Sequence, residues 1–159
     1  EGAPAGLRRV GVGRDGGWTS GVQGAKDRPS NGAGRNGTSG ADDAFRSFAA
    51  GKLIRQTDPR TIADGLRTSL SLRTFKIISE NVKGIATVGE DKIVEAMRYH
   101  FLRMKLVVEP SGAVPLGALF DGKLDVAGKR VGVIISGGNV DPLLMADIMG
   151  EPRGTPGKG

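Results

Sequence analysis

The sequence predicts an α/β domain, and three observations carry that prediction. Apolar residues recur at three- and four-residue spacing through Ile93, Met97, Phe101 and Met104, the mark of a helix with one buried face. A β-branched run from Val131 to Ile135 reads as a buried strand and stops at Ser136-Gly137-Gly138-Asn139. Between residues 40 and 143, helical and extended stretches alternate, which argues a sheet covered by helices.

The elements follow in order. Twelve of the 27 glycines fall in residues 1–40, where Leu7, Val10, Val12 and Val22 are the whole supply of Leu, Ile and Val. Such a segment has little to bury and much ordering entropy to overcome, so residues 1–39 are expected to be poorly ordered. From Gly40 the composition changes. Residues 40–53 predict a short helix, with Asp42 and Asp43 in its first turn, where carboxylates suit the helix dipole. Residues 58–70 read as a loop punctuated by Pro59 and Gly65. A helix over 72–82 and a strand over 84–88 come next. Thr87 and Glu90 fit a capping box at the head of the long amphipathic helix. Residues 107–120 predict a tight Glu-Pro-Ser-Gly turn into a helix of small residues, and 128–136 the buried strand. Residues 144–159, rich in Gly and Pro toward their end, are expected to form a flexible tail.

Composition excludes several functions. There is no cysteine, hence no disulfide, zinc-thiolate site or cysteine nucleophile. The formal charge is +6, but Lys and Arg are scattered and not interleaved with aromatics, so no nucleic-acid partner is expected. No apolar run approaches the roughly 18 residues of a membrane span, and no signal-peptide core is visible. A cytoplasmic protein without a membrane partner is the expectation. The chain begins with Glu1, as a fragment or a processed product would.

In open α/β sheets, ligands bind beyond the carboxyl ends of the strands. Ser136 stands at such an end with a neutral hydroxyl. Gly137 and Gly138 have no Cβ to obstruct a flat ligand, and the Asn139 amide can orient neighbouring loops. An ordinary glycine turn after a strand has the same residue pattern.

Three segments resolve the matter by resemblance: "TIADGL" (61–66), "VVEPSGAV" (107–114) and "VGVIISGGNVD" (131–141). In this order and at these separations they resemble the C-terminal part of the threonine dehydratase and serine racemase family. "GADDAF", "GIATV" and "MRYHFLRMKLVVEPSGA" extend the likeness over residues 40–141. The resemblance implies the tryptophan-synthase-β-like fold. Residues 40–143 would then be part of the large domain of a fold-type II pyridoxal-phosphate enzyme, a three-layer sandwich with a mostly parallel sheet. It implies that Ser136 hydrogen-bonds the pyridine nitrogen, with Gly137, Gly138 and Asn139 around it. A neutral hydroxyl holds the ring without forcing protonation, which suits elimination chemistry. Glu109 matches a glutamate near the ring, or is a turn residue bonding nearby amides. Asp64 and Gly65 match a loop along the cofactor face, or form a plain Asp-Gly turn.

The same resemblance places a divalent-cation site, Mg²⁺ or Ca²⁺, at the main-chain oxygen of Ala41 and the carboxylate of Asp43. Gly37 stands where the family has a third, glutamate ligand, so helix-start acids are the competing reading. His100, the single histidine, is expected to pack on the apolar face of its helix and not to catalyse.

The chain also departs from the family. No Ser-x-Lys-x-Arg-Gly motif is present, so the Schiff-base lysine is absent and this chain alone is expected to be inactive. The remnant of a phosphate loop is "RDGGWTSG" (14–21), with Gly16 and Gly17 as candidate phosphate contacts. The abrupt change at Gly40 suggests that residues 1–39 are partly translated out of frame, or form a divergent N-terminus. The expected function is therefore a fragment of an ammonia-lyase that turns serine, threonine or 3-hydroxyaspartate into a keto acid and ammonia. The complete enzyme would be a homodimer. The alternatives are an amino-acid racemase relative and a non-catalytic remnant or binding module.

Overall fold

The computed structural model describes residues 41–150 apart from 83, 125 and 129, and the backbone of two strands, β1 (Val10–Gly11) and β2 (Gly21–Gln23). The expectations placed on the rest of residues 1–40 and on 151–159 lie outside the described residues.

Helix α1 (Asp43–Ala50) forms where 40–53 predicted it. It ends at Gly51, whose φ of 64° is the left-handed conformation that closes helices and that glycine adopts without a Cβ penalty. The fully buried Ser47 ties the helix to the chain that leaves it. Its Oγ accepts from the Ile54 N–H at 2.8 Å and donates to the Ile54 carbonyl at 3.2 Å. Helix α2 (Leu72–Asn81) starts at Ser71, whose hydroxyl accepts the Thr74 N–H. Ala44, Leu70, Phe75, Ile78 and Val82 bury together between α1 and α2.

A second, larger apolar cluster lies between α3 (Glu90–Tyr99) and α4 (Pro110–Phe120). Ile93, Ala96 and Met97 face it from α3; Ala113, Val114 and Ala118 face it from α4. Gly117 lets the helices approach, since a Cβ there would lie 3.0 Å from the Lys92 carbonyl oxygen. Tyr99 meets Phe120 edge to face at 5.5 Å.

Two expectations about α3 are corrected. The capping box does not form. Gly89 is the N-cap and Glu90 the first helical residue, and the Glu90 carboxylate accepts the Ile62 N–H instead. The apolar face also does not run on to Met104. From His100 to Met104 the backbone widens into a π-helical turn, which shifts each later residue around the axis. His100 turns inward, 1% exposed, while Phe101 and Met104 are 39% and 45% exposed. Burial disfavours the charged imidazole and pushes the His100 pKa down. His100 is thus a buried packing residue, as expected.

The strands are short. β3 (Gly84–Ile85) and β4 (Gly132–Val133) cover only part of 84–88 and 128–136. They share one sheet with the early strands in the order β3-β1-β2-β4. Its β1–β3 pairing is parallel and its β1–β2 and β2–β4 pairings antiparallel, so the pairings differ from the mostly parallel pattern expected. The Val/Ile run is not buried either, because no described element covers it: Ile134 and Ile135 are 58% and 36% exposed.

Residues 144–150, expected in a flexible tail, instead belong with helix α5 (Pro142–Met149). Asp141 caps it by accepting the Leu143 N–H, and Pro142 occupies the first helical position. Ile148 is buried in the α3–α4 cluster, and Arg98 on α3 donates to the Ile148 and Gly150 carbonyls. Among the described residues, no helix is long and apolar enough to cross a membrane.

Candidate functional site

The site is built on the first turn of α4. Glu109 is its N-cap, with extended backbone, and Pro110 follows where a missing N–H costs nothing. Pro110, Ser111, Gly112 and Ala113 are all buried. Three segments far apart in sequence come together on this turn.

The first is the Asp64–Gly65 loop, a single 3-10 turn over Asp64–Leu66. The Gly65 N–H donates to the Ser111 hydroxyl at 3.1 Å and to the Asp64 carboxylate at 2.8 Å. A Cβ on Gly65 would come within 2.7 Å of the Ser111 Oγ, so the glycine permits the contact. From the other side, Glu90 holds the loop through the Ile62 N–H.

The second is the Ser136–Asn139 loop beyond β4. The Glu109 N–H donates to the Gly137 carbonyl at 3.3 Å, and the Glu109 carboxylate accepts the Asn139 N–H at 3.1 Å. Gly137 has a φ of 74°, which favours glycine. Its missing side chain makes room for the Glu109 carboxylate, and that of Gly138 makes room for the Val107 carbonyl, 2.9 Å from a Cβ there. Both glycines were expected to clear space for a ligand ring. The space they leave is taken by the protein itself. Ser136, half-buried, sits with its carbonyl directly over Gly112.

The third is the Leu106–Val108 strap, which carries Glu109 and runs beside Gly138. Ser136, Gly137, Gly138, Asn139, Glu109, Asp64 and Gly65 are therefore one constellation. Glu109 takes the amide-bonding role left open for it.

Asp43 belongs elsewhere. It is fully buried at the start of α1, where its carboxylate accepts the Leu70 N–H at 3.2 Å and its own N–H donates to Gln56. The neighbouring Asp42 carboxylate is taken up by the Arg46 guanidinium at 2.7 Å. Among the described residues, no three His, Cys, Asp or Glu side chains gather to hold a metal ion with Asp43 and the Ala41 carbonyl. Gly16 and Gly17 lie outside the described residues.

Sequence reasoning missed Ser111, which meets the Asp64–Gly65 loop, and Gly112, which meets the Ser136–Asn139 loop. Glu-Pro-Ser-Gly reads as a turn, yet proline at the first helical position is the signal that places them inside the helix.

A family model described as pyridoxal-phosphate dependent enzyme matches residues 24–137. The L-threo-3-hydroxyaspartate ammonia-lyase of a Pseudomonas species is 48% identical over 101 residues, covering 63% of this chain and 32% of that protein. The serine racemase of Dictyostelium discoideum is 48% identical over 108 residues, covering 64% and 33%. Among solved structures, the threonine deaminase of T.th. matches at 47% identity with a TM-score of 0.56, covering 64% of this chain and 37% of that one. The chain thus spans about a third of the length of the curated relatives it matches.

Proposed function

The chain belongs to the pyridoxal-phosphate dependent enzyme family, and on that premise we propose that it supplies the ring-holding part of an ammonia-lyase site, acting on serine, threonine or 3-hydroxyaspartate. Its fold is that of the fold-type II members. The observation that carries the proposal is the seating of the Ser136–Asn139 loop on the first turn of α4: the Ser136 carbonyl lies over Gly112, and the Glu109 carboxylate holds the Asn139 N–H.

Of these residues Ser136 would meet the ring end of the cofactor, while Gly137 and Gly138 give their space to Glu109 and Val107. When bound, pyridoxal phosphate supplies the electron sink that lets an amino acid lose its α-proton and β-hydroxyl. Ser136 would pair with the ring nitrogen through its hydroxyl, which can donate or accept. Glu109 holds the loop that carries Ser136, through the Asn139 N–H and the Gly137 carbonyl. Ser111 holds the Asp64–Gly65 loop against the same helix end. The sequence has no Ser-x-Lys-x-Arg-Gly motif, so we assign no proton-abstracting lysine to this chain.

A racemase is the second reading, favoured by the equal identity to the Dictyostelium serine racemase. A racemase returns a proton to the opposite face of the α-carbon, where an ammonia-lyase instead expels the β-hydroxyl.

The test is direct. The purified 159-residue chain is titrated with pyridoxal phosphate, reduced with borohydride, and separately incubated with L-serine, L-threonine and L-threo-3-hydroxyaspartate. We expect reversible cofactor binding that Ser136→Ala weakens about fivefold, the loss of one hydrogen bond. We expect neither keto acid nor inverted amino acid from the chain alone. Binding indifferent to Ser136→Ala would refute the ring-holding assignment. Turnover by the chain itself would refute the absence of its lysine.

A further inference from the structure

We propose that Gly112 is the positioning residue for Ser136: by lacking a side chain it sets how closely the Ser136–Asn139 loop seats on α4, and so where the Ser136 hydroxyl stands. The proposal rests on the ring-holding reading of the site.

Gly112 lies inside a regular helix, with no positive φ to demand glycine. Alanine would favour the helix by about 1 kcal/mol. What excludes alanine is space. A Cβ at Gly112 would overlap the Ser136 carbonyl oxygen and lie 3.0 Å from both the Ser136 carbonyl carbon and the Val108 Cγ1. The obstacle on the Ser136 side is backbone, so no rotamer change relieves it.

Something must therefore move, and the structure indicates what. Helix α4 is buried along its length and has little room to retreat, because a Cβ on Gly117 would already lie 3.0 Å from the Lys92 carbonyl oxygen. The loop is the exposed side of the contact, with Gly137, Gly138 and Asn139 open to solvent. It is pinned at Gly137 and Asn139 by Glu109. A methyl group at Gly112 lifts Ser136 by about 1 Å, enough to spoil a hydrogen bond to a rigid ring. Gly138 seats the same loop from its other edge, against the Val107 carbonyl.

The experiment uses the whole chain and two readouts. One is binding of pyridoxine 5′-phosphate, which has no aldehyde and so reports non-covalent ring binding; inorganic phosphate is the control ligand. The other is hydrogen exchange of the 136–139 amides. Gly112→Ala should weaken pyridoxine phosphate at least fivefold, leave phosphate binding unchanged and speed exchange in 136–139. Added to Ser136→Ala, it should cause no further loss of binding, because it acts through Ser136. Gly117→Ala, on the α3–α4 contact, should lower stability without a selective effect on 136–139. If Gly112→Ala does not fold, Gly138→Ala tests the same seating and should speed exchange and weaken binding likewise.

Wild-type-like exchange and binding in the Gly112 variant, or in the Gly138 variant where that one stands in, would overturn the proposal. So would losses that add fully to those of Ser136→Ala. If the wild-type chain fails to bind pyridoxine phosphate, the ring-holding reading fails. The seating claim is then decided by exchange alone: faster exchange in 136–139 upholds it, and unchanged exchange sinks it.

Discussion

Replacing Asp43 by alanine separates two roles that one carboxylate was assigned, cation ligand and structural tie. Asp43 is fully buried, and its Oδ2 accepts the Leu70 N–H, 27 residues away. Losing that acceptor strands a buried donor, at about 1–3 kcal/mol. Losing a negative charge from the first turn of α1 costs a further 0.3–1 kcal/mol or so. Asp43→Asn keeps an acceptor oxygen of the same shape and should cost roughly the second amount alone. With a urea slope of about 2 kcal/mol/M for a small domain, the alanine variant should unfold about 0.5–2 M earlier. The asparagine variant should fall well short of that. The assay is urea denaturation of the chain and both variants, repeated with Mg²⁺, with Ca²⁺ and with chelator. The cations should leave every midpoint in place. A wild-type midpoint raised by either cation, with the rise lost in both variants, would refute the structural account. An alanine variant as stable as wild type would refute it equally.

Three other outcomes follow from the same geometry. Met97→Ala should cost about 2–5 kcal/mol and Phe101→Ala less than half as much, since only Met97 is fully buried; equal losses by denaturation would contradict the π-helical turn at His100. His100 has a folded pKa below its ordinary 6.5, so the unfolded chain binds more protons in the window between the two values. Stability should therefore fall as pH drops below about 6.5 and level off once the folded form also protonates; a His100→Gln variant should lack that slope in urea midpoints between about pH 8 and 5. Arg98→Ala removes the donors to the Ile148 and Gly150 carbonyls, so amide exchange in α5 should accelerate while α4 stays protected.

Much of the local structure was legible in the sequence, because it depends on neighbours in the chain. The helices found over 43–50, 72–81, 90–99 and 110–120 fall within the stretches expected to be helical, 40–53, 72–82, the amphipathic run through Met104, and 107–120. Gly51, Ser71 and Asp141 close or open helices through bonds to residues within a few positions. Even α5 was written in its Asp141-Pro142 start, though the Gly/Pro-rich stretch beyond it suggested a tail. The constellation of Ser136, Glu109 and Gly65 was legible only through a family resemblance, since nothing in three distant segments says that they meet.

By itself, then, the sequence determined the four helices between residues 43 and 120, the burial of Ile93 and Met97, and the family to which the chain belongs. Those depend on periodicity and on motifs, which the chain carries in linear form. Tertiary structure alone decided that Glu90 holds Ile62 and does not cap its own helix. It decided that the helix after Tyr99 widens and turns His100 inward, and that Asp43 serves Leu70. It also decided that Gly112, Gly137 and Gly138 are small to admit other parts of the protein. Glu90 with Ile62, Asp43 with Leu70 and Gly112 with Ser136 are contacts across gaps of many residues, and the linear sequence does not state which distant groups will meet.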